Sequence, residues 1–507
     1  AQAMAARHIP GGGPSPLLYQ PDMAGSPVAD STEDVAIAGW SQWFTVLLVV
    51  AFGISAHATK QAFPPAQGAL ETAGASPVSY AFLAASPLLG CILLPTVWGI
   101  AHERHEAQVL IAIPFGELIG QITVALGLFV LGAGSSGPSA MALCIAGLTL
   151  FSAFHGGMAV VQHTVLAKLM PRGLTSGFAA VVTCTHLTMA LCNSVVPRIV
   201  HASGLLSLQM TLLLPSLLMS LPAGCLLAYR ATMPEGHKRA LPGLPMWHSL
   251  ANHDLRSALL EKCSCHGQML GRVREGGHCS CHHDVSPTQP ARARQALLLL
   301  ALWRALLIGM GHAFYSVLNG LLASHGLTEE EAGAKLATSQ TLALLLLPLI
   351  GFLADRWGRR CLLVVISSLA LTSGLSLQWA LDLPSFWLDI ILFGWVLAQL
   401  MVPVLSLSLI PANSLRRPGD HSEFAGLGRS FGIVESLTSL AQVVFVVIIG
   451  FLRQTSGFSH VLTFLCTGLV GAFALSLVLL YKLNDDLEHG SGMSRTTQRH
   501  HLSTDEL

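Results

Sequence analysis

Charge is what this sequence has least of. Asp, Glu, Lys and Arg make up 11% of the 507 residues, hydrophobic residues make up 52%, and mean hydropathy is +0.60. A soluble domain carries about a quarter of its residues as charges, so this composition excludes a soluble globule and specifies a membrane protein. The few charges sum to a formal net charge of zero, which gives nucleic acid no basic surface to bind. Catalytic signatures are missing too: there is no G-x-x-x-x-G-K-S/T phosphate loop, no nucleophile elbow, no paired carboxylates and no H-E-x-x-H helix. No enzymatic activity and no resident cofactor are therefore expected, and any transport is uniport or coupled to an ion gradient. The eleven cysteines are mostly scattered singly through apolar runs and form no secreted disulfide framework. The first forty residues lack the basic and apolar regions of a cleaved signal peptide, so the first hydrophobic helix is expected to act as the insertion signal.

What is present is a series of apolar runs, each long enough to cross a hydrocarbon core of about 30 Å as a helix of about 20 residues. Twelve spans are expected, at 41–63, 78–100, 108–132, 139–166, 175–200, 205–229, 296–320, 333–354, 359–381, 384–410, 422–452 and 458–481. The chain then divides into a disordered tail over 1–40, a six-helix bundle over 41–229, a linker over 230–295, a second six-helix bundle over 296–481 and a tail over 482–507. An even number of spans leaves both termini on one side. The loops of that side carry Arg104, Lys168, Arg172, nine Lys or Arg between 230 and 294, Arg356, Arg359, Arg360, Arg416 and Arg417. The other side carries Lys60, Arg198, Lys335 and Arg453, so the positive-inside rule predicts cytoplasmic termini.

Between the eighth and ninth spans lies Gly351-Phe-Leu-Ala-Asp355-Arg356-Trp-Gly358-Arg359-Arg360, a charged knot that fits only a tight turn at a membrane surface. Glycines allow close helix approach, and Asp355 is placed to accept hydrogen bonds from the N-terminus of the following helix. A worn copy, Gly99-Ile-Ala-His-Glu103-Arg104, lies 252 residues upstream, with Gly99, Glu103 and Arg104 matching Gly351, Asp355 and Arg356. The pattern G-x-x-x-D-R-x-G-R-R resembles the signature loop of the major facilitator superfamily. The resemblance implies an all-α membrane protein of twelve transmembrane helices in two six-helix pseudo-repeats, with this loop after the second helix of each half.

Polar residues inside apolar spans are costly and tend to face a cavity or a partner. The eleventh span carries Glu435, Thr438, Ser439 and Gln442 at i, i+3, i+4 and i+7, one stripe of a helix. The seventh carries Arg304, His312, Tyr315 and Asn319 within about a quarter-turn. Both stripes are expected to face a central cavity, with Arg304 and Glu435 as an ion pair or as two halves of a substrate site. In the first half, His155 and Gln162 are seven apart, as are His186 and Asn193, and Gly156-Gly157 allows close packing or close ligand approach. Glu117, one turn before Gln121 in the third span, is expected to be structural.

Gly120-Gln121, Ala125-Leu126-Gly127, Gly157 through Gln162 to Thr164, Phe178, and Ser430-Phe431-Gly432 through Glu435-Ser436 resemble stretches of the lysosomal dipeptide transporters of the superfamily. That resemblance implies an endolysosomal setting, with a plasma membrane as the alternative, and an accessory membrane glycoprotein as partner. It also implies a peptide held at its termini by an acid of the fourth helix and an arginine of the fifth; here Gly156 and His186 stand at those positions, and Glu435 replaces a glutamine.

The linker places four Cys and four His within 21 residues, including Cys263, Cys265, Cys279 and Cys281. Such a cluster suits Zn(II) or Cu(I) binding, palmitoylation, or a solvated joint between the halves. The expected function is a transporter of a small polar organic solute, dipeptide or amino-acid-like, working by alternating access. A transport-dead sensor or scaffold built on the Cys/His loop is the alternative.

Overall fold

The computed structural model describes residues 32–73, 75–132, 137–170, 173–233, 289–357, 360–373, 385–411 and 426–489. Every regular element among them is helical. In order the main ones are α1 (Thr32–Ala62), which a 3₁₀ turn (Pro64–Ala66) and a short helix (Gln67–Thr72) follow, α2 (Pro77–Leu89 and Leu94–Arg104), α3 (Glu106–Gly132), α4 (Gly137–Leu169), α5 (Leu174–Ser203) and α6 (Leu208–Pro215 and Leu221–Thr232). The second half contributes α7 (Gln289–Ser324), α8 (Glu329–Trp357), α9 (Arg360–Ser373) and α10 (Ser385–Leu409), then a final 63-residue run over Leu427–His489. Gly457, at φ 74°, breaks that run into α11 (427–456) and α12 (458–489). A left-handed φ is open to glycine without the Cβ clash that other residues meet. The helices thus follow the twelve expected spans, with α9 described only over its first fourteen residues. α1 starts at Thr32, ahead of the expected boundary at 41, and α7 at Gln289, ahead of 296.

Two spans are broken, and both breaks have a sequence cause. α2 bends by 42° where Gly90–Ile92 tightens to a 3₁₀ turn and Pro95, with no N–H to donate, restarts the helix in its first turn. α6 passes through a π-turn at Ser216–Ser220, set between Pro215 and Pro222.

Within the first half α3 packs on α4, and α1 on α5 and α6; within the second, α7 packs on α11 and α10 on α8 and α9. The halves meet along two seams, α5 against α8 and α2 against α11. Phe52, Phe63, Tyr80, Phe151, Phe178, Trp303 and Phe431 are fully buried between helices. Leu47, Leu126, Leu218 and Leu345 point outward, Leu345 at 73% exposure, on helices apolar enough to cross a membrane. In water such a belt would be an aggregation surface; against acyl chains it loses nothing.

Candidate functional site

Between the halves lies a cavity of about 190 Å³. Its walls come from α1 (His57, Lys60, Gln61), α2 (Leu88, Cys91), α4 (His155, Gln162, His163), α5 (Thr185, His186, Met189), α7 (Arg304, His312, Tyr315), α8 (Gln340), α10 (Trp395, Gln399) and α11 (Glu435, Thr438, Ser439, Gln442). The whole polar stripe of α11 and three members of the stripe on α7 reach it. Asn319 does not, because one further helical turn, about 5.4 Å, carries it past the cavity to a pocket beside Gln67, Glu71 and Arg453.

Arg304 Nη2 donates to Glu435 Oε1 at 2.7 Å, joining α7 to α11 within the second half. From the first half His163 brings Nδ1 to 3.6 Å from the same oxygen, its ring held between Phe178 and Phe431 at 5.5 and 5.4 Å. Nearer the Glu71 end, Asn193 of α5 donates to the Tyr315 hydroxyl and to Gln340 Oε1 (3.1 Å), and Gln340 Nε2 donates to Tyr315 at 3.1 Å. This amide and hydroxyl cluster spans the seam between α5, α7 and α8. His155 stacks on Phe151 at 5.4 Å and meets His57 edge-on at 5.9 Å. Gln162 lines the wall, but its amide donates to the Val49 carbonyl at 2.6 Å. Gly156 and Gly157 pack against Pro95 and the Trp98 ring, so their small size serves the α4–α2 contact, and Gly156 also borders the cavity.

Lys60 differs from its expected place. It reads as a loop cation on the non-cytoplasmic face, three residues from the end of the first span, yet it lines the cavity with His57 and Gln61. These three stand at i, i+3 and i+4, the same signal that marks the stripe on α11. His163, Gln340, Gln399 and Trp395 are further lining residues not singled out from the sequence; single polar side chains in apolar runs carry no repeat to find them by.

Glu117 lies outside the cavity. It accepts from Ser55 Oγ at 3.2 Å, while Gln121 donates to Thr59 at 2.7 Å and accepts from Ser216. The pair ties α1 and α3 to the π-turn of α6, where Ser220 also accepts from the Ser55 N–H at 3.1 Å.

The two charged loops grip the opposite half at one end of the bundle. Asp355 accepts from the N–H groups of Thr175 (3.1 Å) and Ser176 (2.8 Å), from Ser176 Oγ (2.8 Å) and from Arg360 Nη2 (3.1 Å). Its helix N-terminus is that of α5 in the other half, not of α9 that follows it. Gly351 makes room, since a Cβ there would lie 2.8 Å from Ala179 Cβ. The worn copy repeats the arrangement with the halves exchanged: Glu103 accepts from the Arg429 N–H at 3.4 Å at the start of α11, and Gly99 packs directly on Gly428. Arg104 and Arg356 are exposed; Gly358, Arg359 and the four linker cysteines lie outside the described residues. At the opposite end Arg453 makes a two-pronged ion pair with Glu71, at 2.8 and 3.3 Å, and Tyr80 donates to the Ser316 carbonyl at 3.1 Å. Contacts between the halves thus bound the cavity at both ends. Among the described residues no group of three His, Cys, Asp or Glu side chains is arranged to hold a metal ion.

The fold is similar to that of the proton:xylose symporter XylE bound to 6-bromo-6-deoxy-D-glucose, with a TM-score of 0.63 and 16% identity over 89% of this chain and 98% of that one. A partially occluded inward-open form of the xylose transporter XylE from E. coli gives 0.61 and 15% over 87% and 99%. The human organic anion transporter MFSD10 (TETRAN) gives 0.55 and 16% over 85% and 99%. No curated protein sequence matches the chain significantly. At these identities the likeness concerns the fold. Residues 43–421, well over half of the sequence, match the profile of the Major Facilitator Superfamily, and the chain belongs to that family.

Proposed function

We propose that the chain carries a small polar organic solute across a membrane by alternating access, the two halves rocking around the cavity between them. The observation that supports this best is the cavity itself: polar and charged side chains of both halves converge on it from helices whose outer faces are apolar. Its volume of about 190 Å³ lies below the roughly 300–1,000 Å³ of drug-sized ligand sites, which favours a metabolite-sized solute, amino-acid-like or dipeptide at the upper limit. Arg304, Glu435, His312, Tyr315, His155, Gln162 and His186 are its proposed contacts, and Gly99, Glu103, Arg104, Gly351, Asp355 and Arg356 form the proposed gate at one end. Glu435, shared by an arginine and a histidine, is the proposed proton-coupling group. An endolysosomal membrane with cytoplasmic termini and an accessory glycoprotein rest on the sequence resemblance and on the distribution of Lys and Arg.

The test is uptake of a labelled solute panel, including sugars, amino acids, dipeptides and organic acids, into proteoliposomes of the full chain with and without an imposed pH gradient. Saturable uptake of at least one member supports the reading. Failure of the whole panel in protein that remains folded by thermal unfolding contradicts it.

A further inference from the structure

Among the described residues, the charged side chains lining the cavity are Lys60, Arg304 and Glu435. Glu435 is already engaged, at 2.7 Å from Arg304 and 3.6 Å from His163. Arg304 spends one of its donors on that contact. Its Nε and Nη1 are buried with no hydrogen-bond partner, and the residue is only 4% exposed. Lys60, on the α1 wall, takes part in no ion pair or hydrogen bond among the described residues. The site therefore holds two cations and one carboxylate, and the carboxylate is committed to the arginine. An uncompensated charge in a cavity walled by apolar helices is expensive, because the lost hydration is not replaced. Unmade donors on a buried guanidinium add to that penalty.

We propose that the transported solute is an organic anion, whose carboxylate or similar oxyanion binds at Lys60, in the positive potential that Lys60 and Arg304 together set up in the cavity. Bound there, it neutralises the excess positive charge. The imidazoles of His155 and His186, which line the same cavity, supply further polar contacts to the rest of the molecule. A zwitterion fits less well, since its ammonium group needs a carboxylate and the one in the wall faces Arg304. A neutral sugar leaves the excess charge uncompensated. This inference rests on the transport reading and narrows its small polar solute to an organic anion, in place of an amino acid or dipeptide.

The test uses the purified full chain and its Lys60→Met variant. Thermal unfolding is followed with acetate, lactate, succinate and benzoate, each against its own amide, and with chloride, glucose and glycyl-leucine. The proposal predicts a saturable rise in Tm of several degrees with at least one carboxylate, none with its amide, and loss of that rise in Lys60→Met. It also predicts that ligand-free Lys60→Met is at least as stable as the parent, because the substitution removes an unpaired charge. An equal Lys60-dependent rise with chloride means an inorganic anion site only, and overturns the organic-anion claim. So does the absence of any carboxylate effect, or a ligand-free Lys60→Met protein that is less stable than the parent. Uptake of glucose or glycyl-leucine into proteoliposomes unaffected by Lys60→Met leaves transport standing and ends the anion inference. Lys60-dependent carboxylate binding without uptake of any solute does the reverse.

Discussion

His163 of the first half and Glu435 of the second stand 3.6 Å apart, Nδ1 to Oε1, and meet across the cavity between the two halves. Since Glu435 also holds Arg304 at 2.7 Å, its charge reports on both the packing of the second half and the contact between halves. Removing that charge breaks the ion pair with Arg304, so a carboxylate placed here is the proposed link between proton binding and opening. Glu435→Gln keeps the shape and removes the titration. Accumulation driven by a pH gradient is expected to vanish while solute exchange at equal pH continues; accumulation at the parental level would rule out Glu435 as the coupling group.

Breaking the Arg304–Glu435 pair from one side leaves a buried charge alone, a loss of about 3–5 kcal/mol in comparable cases. Arg304→Met should therefore lower the unfolding temperature more than the double change Arg304→Met with Glu435→Met, which removes both charges. Thermal unfolding of the three proteins in one detergent decides it. A double variant less stable than the single one would mean that Glu435 stabilises the bundle through contacts other than Arg304.

Asp355 receives three hydrogen bonds from the first turn of α5 and one from Arg360. Removing a carboxylate from a helix N-terminus costs about 1–2 kcal/mol. Asp355→Ala is expected to loosen the seam between α5 and α8 at this end, seen as faster hydrogen exchange at the start of α5, with the α3–α4 contact unchanged. Unchanged exchange over 174–180 would remove Asp355 from the gate.

Much of this arrangement is legible in the sequence, and what is not has a physical reason. The charged loops, the stripe on α11 and most of the stripe on α7 follow from helical periodicity and from the cost of polar groups in apolar spans. The partner of Asp355 does not: local pattern suggests the next helix, but the loop at the end of α8 packs instead on α5, 179 residues away in the chain. Only the fold brings that N-terminus to it. Lys60 fails for the opposite reason. Hydropathy places it near water, because a lysine close to a span's end ordinarily snorkels outward, whereas here α1 turns it toward the cavity with His57 and Gln61. The i, i+3, i+4 spacing carries the signal for that stripe, but the positive-inside count concealed it.

At the far end, Glu71 and Arg453 form a partly exposed ion pair, and pairs of this kind contribute about 0.2–1 kcal/mol. Glu71→Ala should hardly change the unfolding temperature but should shift the populations of open and closed states at that end by up to about fivefold. Exchanging the charges, Glu71→Arg with Arg453→Glu, should restore the parental distribution. A distribution that stays parental in Glu71→Ala would show that other contacts hold this end closed.

The central claim is that the two ends open alternately around one cavity, and spin-label distances test it most directly. One pair of labels goes on the exposed residues Arg104 and Arg356, at the end with the charged loops; the other goes on Thr72 and Thr455, at the opposite end. In proteoliposomes each pair is expected to show a short and a long distance, and conditions or variants that lengthen one pair should shorten the other. Distances that remain single and unchanged at both ends, across pH and across the carboxylate panel, would contradict alternating access.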